Sequence, residues 1–303
     1  MCSIIVINHH YKGFPLVIAS NRDEDIGRPS SNVQLLSMDP LIMGGRDDLK
    51  GGTWLAVNSH SLFVAITNQG ETNPELETRG KIVMEALKCT TLDDLIQFVE
   101  EIDPSLYNSF NLVFGNQKKV FVAHSYILHS MAVNELNRGV HVISNNMTFN
   151  TVPRKSQYVH SKLDKLVDID WLVYYKRLKK VLGSTDYGLK IKPKKDSNYC
   201  TRSSSILAFS EDGLARYKFY DRTVQRPEQK PEDPVFPKYK DYIDVFRQSS
   251  NEKQVSEETG DDSDEETPSN IPAVSLSITD YSAKASYGMF IGKKYIANGS
   301  DRY

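Results

Sequence analysis

Cysteine is scarce. Only Cys2, Cys89 and Cys200 occur in 303 residues. An odd number without local pattern argues against a disulfide framework and for a reducing compartment. No Cys-x-x-Cys pair and no Cys/His spacing matches a zinc site, so no metal is expected. His9-His10 falls in a turn and reads as solvated. No apolar run approaches the ~18 residues of a membrane span. The apolar N-terminal stretch lacks the basic flank and the length of a signal peptide. A soluble intracellular protein without a transmembrane segment is the expectation. Charge of one sign is also missing, since 37 Lys and Arg against 39 Asp and Glu leave a net of −2. No global basic field points to nucleic acid. The glycine-rich stretch Gly44–Gly52 lacks the Gly-Lys-Ser/Thr ending of a phosphate loop and reads as a flexible polar loop.

The charge that is present is uneven. Residues 252–266 hold eight acidic side chains and one lysine, so this stretch carries −7 and the remainder +5. The acidic run reads as disordered, and Ser263-Asp264-Glu265-Glu266 would suit an acidophilic kinase. The mildly basic remainder suits an anionic ligand. Apolar content of 39% and charged content of 25% are ordinary for a globular chain of this length.

The organising stretch is the first 24 residues. Ser3-Ile4-Ile5-Val6-Ile7 is short, apolar and β-branched, and reads as a buried strand. Tyr11-Lys12-Gly13 supplies a turn. Phe14 to Ala19 returns as a second strand that ends on Ser20-Asn21-Arg22-Asp23-Glu24. Such a hairpin sets Cys2 beside Arg22, Asp23 and Glu24. Removal of Met1 ahead of this small residue would leave thiol and α-amine together on Cys2. The amine, with a pKa of ~8, is a base near neutral pH. A guanidinium at Arg22 favours the thiolate, and Asp23 could hold the amine. The competing reading is a small buried cysteine in a first strand.

Thr53–Val57 and Leu62–Thr67 flank a turn and predict a β-hairpin. Asn68 stands at its end, where an amide can face an oxyanion or simply form a turn. Apolar spacing predicts two helices between Arg79 and Ile102, with Thr91 capping the second. Arg79 reads as a helix-start residue, with contact to an anionic ligand as the second reading. Asn111–Phe114, Lys119–Ala123 and Val140–Ser144 predict strands, and Asn145 marks a second polar strand end. Residues 154–182 carry helical patterning with a basic side at Lys176, Arg177, Lys179 and Lys180. That side could touch anionic lipid or be a solvated face. Lys190, Lys192, Lys194 and Lys195 occupy a loop that could meet phosphate or be solvated only. Ser204–Phe209 and Leu214–Tyr220 predict a final hairpin.

Seven motifs fall in one order: Met1-Cys2 with Asn21-Arg22-Asp23-Glu24, Gly51-Gly52-Thr53-Trp54, Ala65-Ile66-Thr67-Asn68, Thr78-Arg79-Gly80, Tyr107–Leu112, Ile143-Ser144-Asn145 and Thr201–Ser205. This order resembles the NRDE family, also called the transport and Golgi organisation protein 2 family. Its layout is similar to the cysteine-type N-terminal nucleophile hydrolases that cleave bile-salt and penicillin amides. The resemblance implies an α+β fold, specifically an αββα four-layer sandwich over residues 1–225. A Pro- and charge-rich linker with the acidic insertion would span 226–270, and C-terminal strands at 271–303 would complete the domain. It further implies a cytoplasmic protein associated with the Golgi or mitochondria, and roles in Golgi organisation, secretion and the handling of haem or acyl-CoA. The site would comprise Cys2, Arg22, Asp23, Asn68, Asn145 and Arg202. Arg202, as the late arginine near the nucleophile, has an ordinary surface ion pair as its competing reading.

Two functions follow for such a site. It could hydrolyse an amide or thioester through Cys2. It could instead bind a small amphipathic anion without required cofactors, with peripheral membrane contact. Haem as that ligand would need an axial ligand such as Cys2 or His9. A scaffold acting through the acidic tail is a third reading. The hydrolase chemistry, and not the binding, depends on how the chain begins. Intact mass of the untagged protein from its own cells should lack Met1 and carry no acetyl group. A retained Met1 would remove the amine base from the site.

Overall fold

The computed structural model describes residues 2–70, 72–125, 131–145 and 153–222. The linker, the acidic run with Ser263 and the tail from 271 lie outside them. The described residues form twelve strands and four helices. β1 (Ser3–Asn8) and β2 (Leu16–Asp25) make the expected hairpin. β3 (Ser30–Met38), β4 (Leu41–Asp47), β5 (Leu55–Asn58) and β6 (Phe63–Asn68) follow. Helices α1 (Gly80–Ala86) and α2 (Leu92–Glu100) come next. β7 (Phe110–Gly115), β8 (Val120–Ser125), β9 (Met131–Glu135) and β10 (Gly139–Ser144) precede α3 (Pro153–Leu163) and α4 (Trp171–Leu182). β11 (Tyr199–Ser210) and β12 (Gly213–Asp221) are the last described strands.

The strands form two antiparallel sheets. One has five strands in the order β10-β1-β2-β11-β12, the other seven in the order β3 to β9. Alternation along each strand divides the apolar side chains between two faces. Ile4, Val6, Leu16, Ile18, Leu207 and Phe209 of the first sheet share a core with Met43, Leu55, Val57, Phe63 and Ala65 of the second. The opposite face of the first sheet, with Ile5, Ile7, Val17 and Ala19, packs on Val159, Leu163, Leu178 and Val181 of α3 and α4. The opposite face of the second, with Ala56, Val64, Leu112 and Phe114, packs on Ile82, Val83, Leu95 and Val99 of α1 and α2. Burying each such side chain contributes about 1.5–3 kcal/mol.

The structure corrects several expectations. β2 does not stop at Ala19 but continues through Asn21-Arg22-Asp23-Glu24. Polar residues can remain in a buried strand when the neighbouring strand supplies partners. Here β11 does so, pairing Asp23 with Thr201 and Asn21 with Ser204. Gly44 to Asp47 belong to β4 rather than to a loop. The glycines there are steric: a Cβ on Gly44 would stand 2.6 Å from that of Ala56, and one on Gly45 2.5 Å from the Trp54 ring. β9, a short edge strand with no strong apolar alternation, is an element the sequence reading misses. The helical stretch 154–182 is two helices, the second capped by Asp170, whose side chain accepts from the backbone of Leu172 and Val173.

Gly44→Ala should lower stability by about 1–3 kcal/mol, because the added methyl meets Ala56 and the Leu55 carbonyl with no room to yield. Gly70, at φ 59° with open space around it, should lose only about 1 kcal/mol on the same change. Denaturant titration of the two variants separates packing from backbone strain.

Candidate active site

Cys2 stands just before β1, and Ser3 pairs with Asn21. Its thiol reaches the backbone carbonyl of Asp23 at 3.6 Å. It lines a cleft of about 260 Å³ together with Arg22, Asn68, Arg79 and Trp54. The two sheets and the start of α1 meet there.

Two glycine contacts build the cleft. A Cβ on Gly52 would lie 2.6 Å from the backbone of Gly80, so these two chains touch without side chains between them. Thr53 also donates its backbone N–H to the Gly80 carbonyl at 3.3 Å. The stretches Gly51–Trp54 and Thr78–Gly80, far apart in sequence, are thereby locked together. Arg79 and Trp54 become neighbours in the cleft wall. Arg79 caps the start of α1, as expected, and donates one N–H to the Ser109 carbonyl at 2.9 Å. No ion pair reaches its guanidinium among the described residues, and burial pulls its pKa down while the neighbouring Cys2 and Glu24 oppose that.

Arg22 is nearly buried, with 5% exposure. Its guanidinium lies 4.3 Å over the Trp54 ring and 3.9 Å from each of Glu24 and Asp47. Arg28 takes Asp47 at 2.6 Å. The cations Arg22 and Arg28 are thus balanced within the wall, whereas Arg79 is not. Sequence reasoning missed Arg28 and Asp47 altogether. It placed Arg79 first as a helix start and only second as a contact to an anionic ligand, although the flanking Gly80 and the separate Gly51-Gly52 pair carried the signal of a close backbone approach.

Asp23 occupies the other face of β2. Asn21 shares that face and donates to the carbonyls of Leu182 and Leu189 at 2.9 and 2.7 Å. The Asp23 carboxylate accepts from the Thr201 hydroxyl. Burial raises its pKa, while Thr201 and Lys155 work against that. Lys155 of α3 is 3% exposed and donates to the Ser3 hydroxyl at 3.0 Å. Burial lowers its pKa, and Asp23 and Cys2 oppose the shift. Arg22 and Asp23 therefore point to opposite sides of the sheet, yet both bear on Cys2, because Cys2 lies at the strand end between them.

The thiol itself is not poised as a thiolate. Burial pushes its pKa up, the Asp23 carboxylate pushes the same way, and Arg22 offsets only part. Arg22 acts in the expected direction, toward the thiolate, but burial and Asp23 outweigh it. Asn68 lines the cleft, and its amide makes no hydrogen bond among the described residues. Asn145 follows β10. The β1–β10 register, Ser3 opposite Ser144, places it across from Cys2, with a buried carbonyl oxygen that has no described partner. Arg202 is not part of the cleft wall. It is the extra residue of a β-bulge in β11, and its guanidinium donates to the carbonyls of Asp25, Ile26 and Arg28 at 2.7–2.9 Å. It braces the turn after β2. His9 sits beyond the other end of β1 and is exposed, so of the two axial-ligand candidates only Cys2 is in the cleft. Among the described residues, no group of His, Cys, Asp and Glu is arranged to hold a metal ion, and no helix is long and apolar enough to cross a membrane.

Only the thiolate is alkylated, so the reaction rate of Cys2 rises as pH passes its pKa. Asp23→Asn removes a negative charge that disfavours the thiolate and should move that rise to lower pH. Arg22→Gln removes a favourable charge and should move it higher. Iodoacetamide labelling read by peptide mass, which separates Cys2 from Cys89, checks both directions.

The fold and the site can be set beside known proteins. The Caenorhabditis elegans N-acylethanolamine-hydrolyzing acid amidase ortholog superposes with a TM-score of 0.52 at 14% identity, over 68% of this chain and 92% of that one. That likeness is one of fold alone. The Homo sapiens Transport and Golgi organization protein 2 homolog is 30% identical over 105 residues, which are 33% of this chain and 38% of that protein. The Mus musculus homolog is 31% identical over 107 residues, with the same shares. The aligned stretch thus spans well under half of each relative. The sequence profile of the family described as Transport and Golgi organisation 2, by contrast, matches residues 1–226. This chain belongs to the Transport and Golgi organisation 2 family.

Proposed function

We propose that the cleft binds the head of a small amphipathic anion, and that the four-layer αββα arrangement of two sheets between two helix pairs serves to hold it. The observation that carries this reading is Arg79. It is a guanidinium in the cleft wall without an ion pair among the described residues, beside the uncommitted amide of Asn68. A charge-assisted hydrogen bond from such a group contributes about 1.5–3 kcal/mol to binding an anion. The balanced pair Arg28–Asp47 and the Arg22–Trp54 stack keep the wall rigid. A volume of about 260 Å³ falls just below the ~300–1,000 Å³ of sites that enclose drug-sized molecules. The cleft therefore suits a head group whose apolar part lies outside. Acyl-CoA and haem are both anions of that kind, and Cys2, among the described residues that line the cleft, could serve haem as an axial ligand. The family's association with Golgi organisation gives this binding a role in membrane traffic.

A second reading is hydrolysis of an amide or thioester by Cys2. It is favoured by the position of the thiol at a strand end, with Asp23 on one side and the Asn68 amide in the same cleft. Its raised pKa means that a base must take the proton during attack.

Dodecanoyl-CoA separates the two readings, since it is both an amphipathic anion and a thioester. Calorimetric titration should show saturable binding without release of free CoA. Arg79→Ala should weaken that binding about tenfold, the equivalent of ~1.4 kcal/mol. Catalytic release of CoA that disappears in Cys2→Ala would establish the hydrolase instead. Unchanged affinity in Arg79→Ala would remove the proposed head-group site.

A further inference from the structure

The two helix pairs carry opposite charge. Gly80–Asp103, with α1 and α2, holds two Lys and six carboxylates, a net of −4. Arg154–Asp196, with α3, α4 and the following loop, holds twelve Lys and Arg against five Asp, a net of +7. The cations of the first segment are matched locally: Lys81 pairs with Glu77 at 3.0 Å and Lys88 with Glu85 at 2.6 Å. Those of the second outnumber the carboxylates of their own segment by more than two to one.

Helix α4 shows why this matters. Tyr174, Leu178, Val181 and Leu182 are buried against the first sheet. The outward positions are Leu172, Val173, Lys176, Arg177 and Lys180, all exposed. They sweep about 140° of one face at 100° per residue. That stripe contains no acidic residue. Among the described residues, no ion pair reaches Lys176, Arg177 or Lys180. Leu172 and Val173, at 54% and 52% exposure, are two of the few large apolar side chains that the described structure leaves in water. They stand at the start of the helix beside Trp171, itself only partly buried.

We propose that the outer face of α4 docks on an anionic lipid bilayer. The cations match the negative surface of such a membrane, which draws Lys and Arg toward its headgroups. The aliphatic pair decides between this and other polyanions. A nucleic acid or an acidic peptide in water gives Leu172 and Val173 nothing to bury into, whereas a bilayer offers acyl surface directly beneath its charges. Two aliphatic side chains are too few to anchor the protein without the charges, so the docking is reversible and governed by salt. The acidic pair α1/α2 packs on the other sheet, away from this face, so repulsion from the same membrane also favours α4 turning toward it. This site is separate from the Cys2 cleft and does not depend on what the cleft binds.

The full-length chain should sediment with phosphatidylcholine vesicles that contain phosphatidylserine, not with phosphatidylcholine alone, and should be released by high salt. Lys176→Glu, Arg177→Glu and Lys180→Glu together should weaken partitioning tenfold or more. Leu172→Ser with Val173→Ser should weaken it several-fold while leaving elution from a heparin column unchanged. All five positions are exposed, so circular dichroism should be unaltered in either variant. Wild-type sedimentation of the charge-reversed protein would overturn the proposal. So would equal binding of the Leu172/Val173 variant to vesicles and heparin, which would mark the face as a general polyanion surface.

Discussion

The pairing of β2 with β11 is the constraint on which the rest of this structure depends. Asn21, Arg22 and Asp23 are almost wholly buried in the middle of a five-stranded sheet. Polar and charged groups there would be strongly unfavourable if left without partners. The hydroxyls of Thr201 and Ser204 meet Asp23 and Asn21, and the carbonyls at the end of α4 and at Leu189 complete Asn21. Two sequence motifs nearly 180 residues apart are therefore one structural object: a ladder in which one strand brings amides and a carboxylate and the other brings hydroxyls.

From that ladder the sheet distributes chemistry to both of its faces. Arg22 turns toward the second sheet, stacks on Trp54 and helps shape the cleft. Asp23 turns toward α3, where Lys155 and Ser3 form a small buried polar cluster. Cys2, at the open end of β1, is the place where the two environments meet. This explains why its thiol is held protonated rather than activated. Burial disfavours the charged form first, the nearest full negative charge adds to it from behind the sheet, and the nearest arginine, already engaged with Glu24 and Asp47, offsets only part.

Much of this was legible in the sequence. The β1–β2 hairpin, the β5–β6 hairpin, the Thr91-capped helix and the closing β11–β12 hairpin follow from apolar periodicity and turn chemistry. Cys2, Arg22 and Asn68, which the motifs group together, line one cleft. What could not be read was whatever depends on partners distant in the chain. Polar character argued that β2 ends at Ala19, because nothing in the residues 20–24 themselves reveals that β11 will satisfy them. Gly44 and Gly45 looked like loop glycines, because the side chains that exclude a Cβ there, Ala56 and Trp54, arrive on the next strand. Arg202 was placed at the site by its position in a motif. Its real work, holding three carbonyls of the turn after β2, is visible only once the bulge is seen.

That bulge adds a residue to β11 without changing which residues of β2 its neighbours meet. In a regular strand, Thr201 and Ser204, three apart, would face opposite sides. The inserted Arg202 shifts the phase by one, so that both face α3 and α4 and both reach β2. Any other side chain at 202 would keep that phase and lose only the brace. Removing the position altogether would leave Thr201 two residues from Ser204, the spacing at which a regular strand puts both on one face, so Thr201 would stay opposite Asp23. What would go is the bulge, and with it the hold on the three carbonyls of the turn. The extra position thus serves the turn rather than the ladder: it lets β11 send one arginine to the backbone after β2 while every partner of Asn21 and Asp23 stays in place.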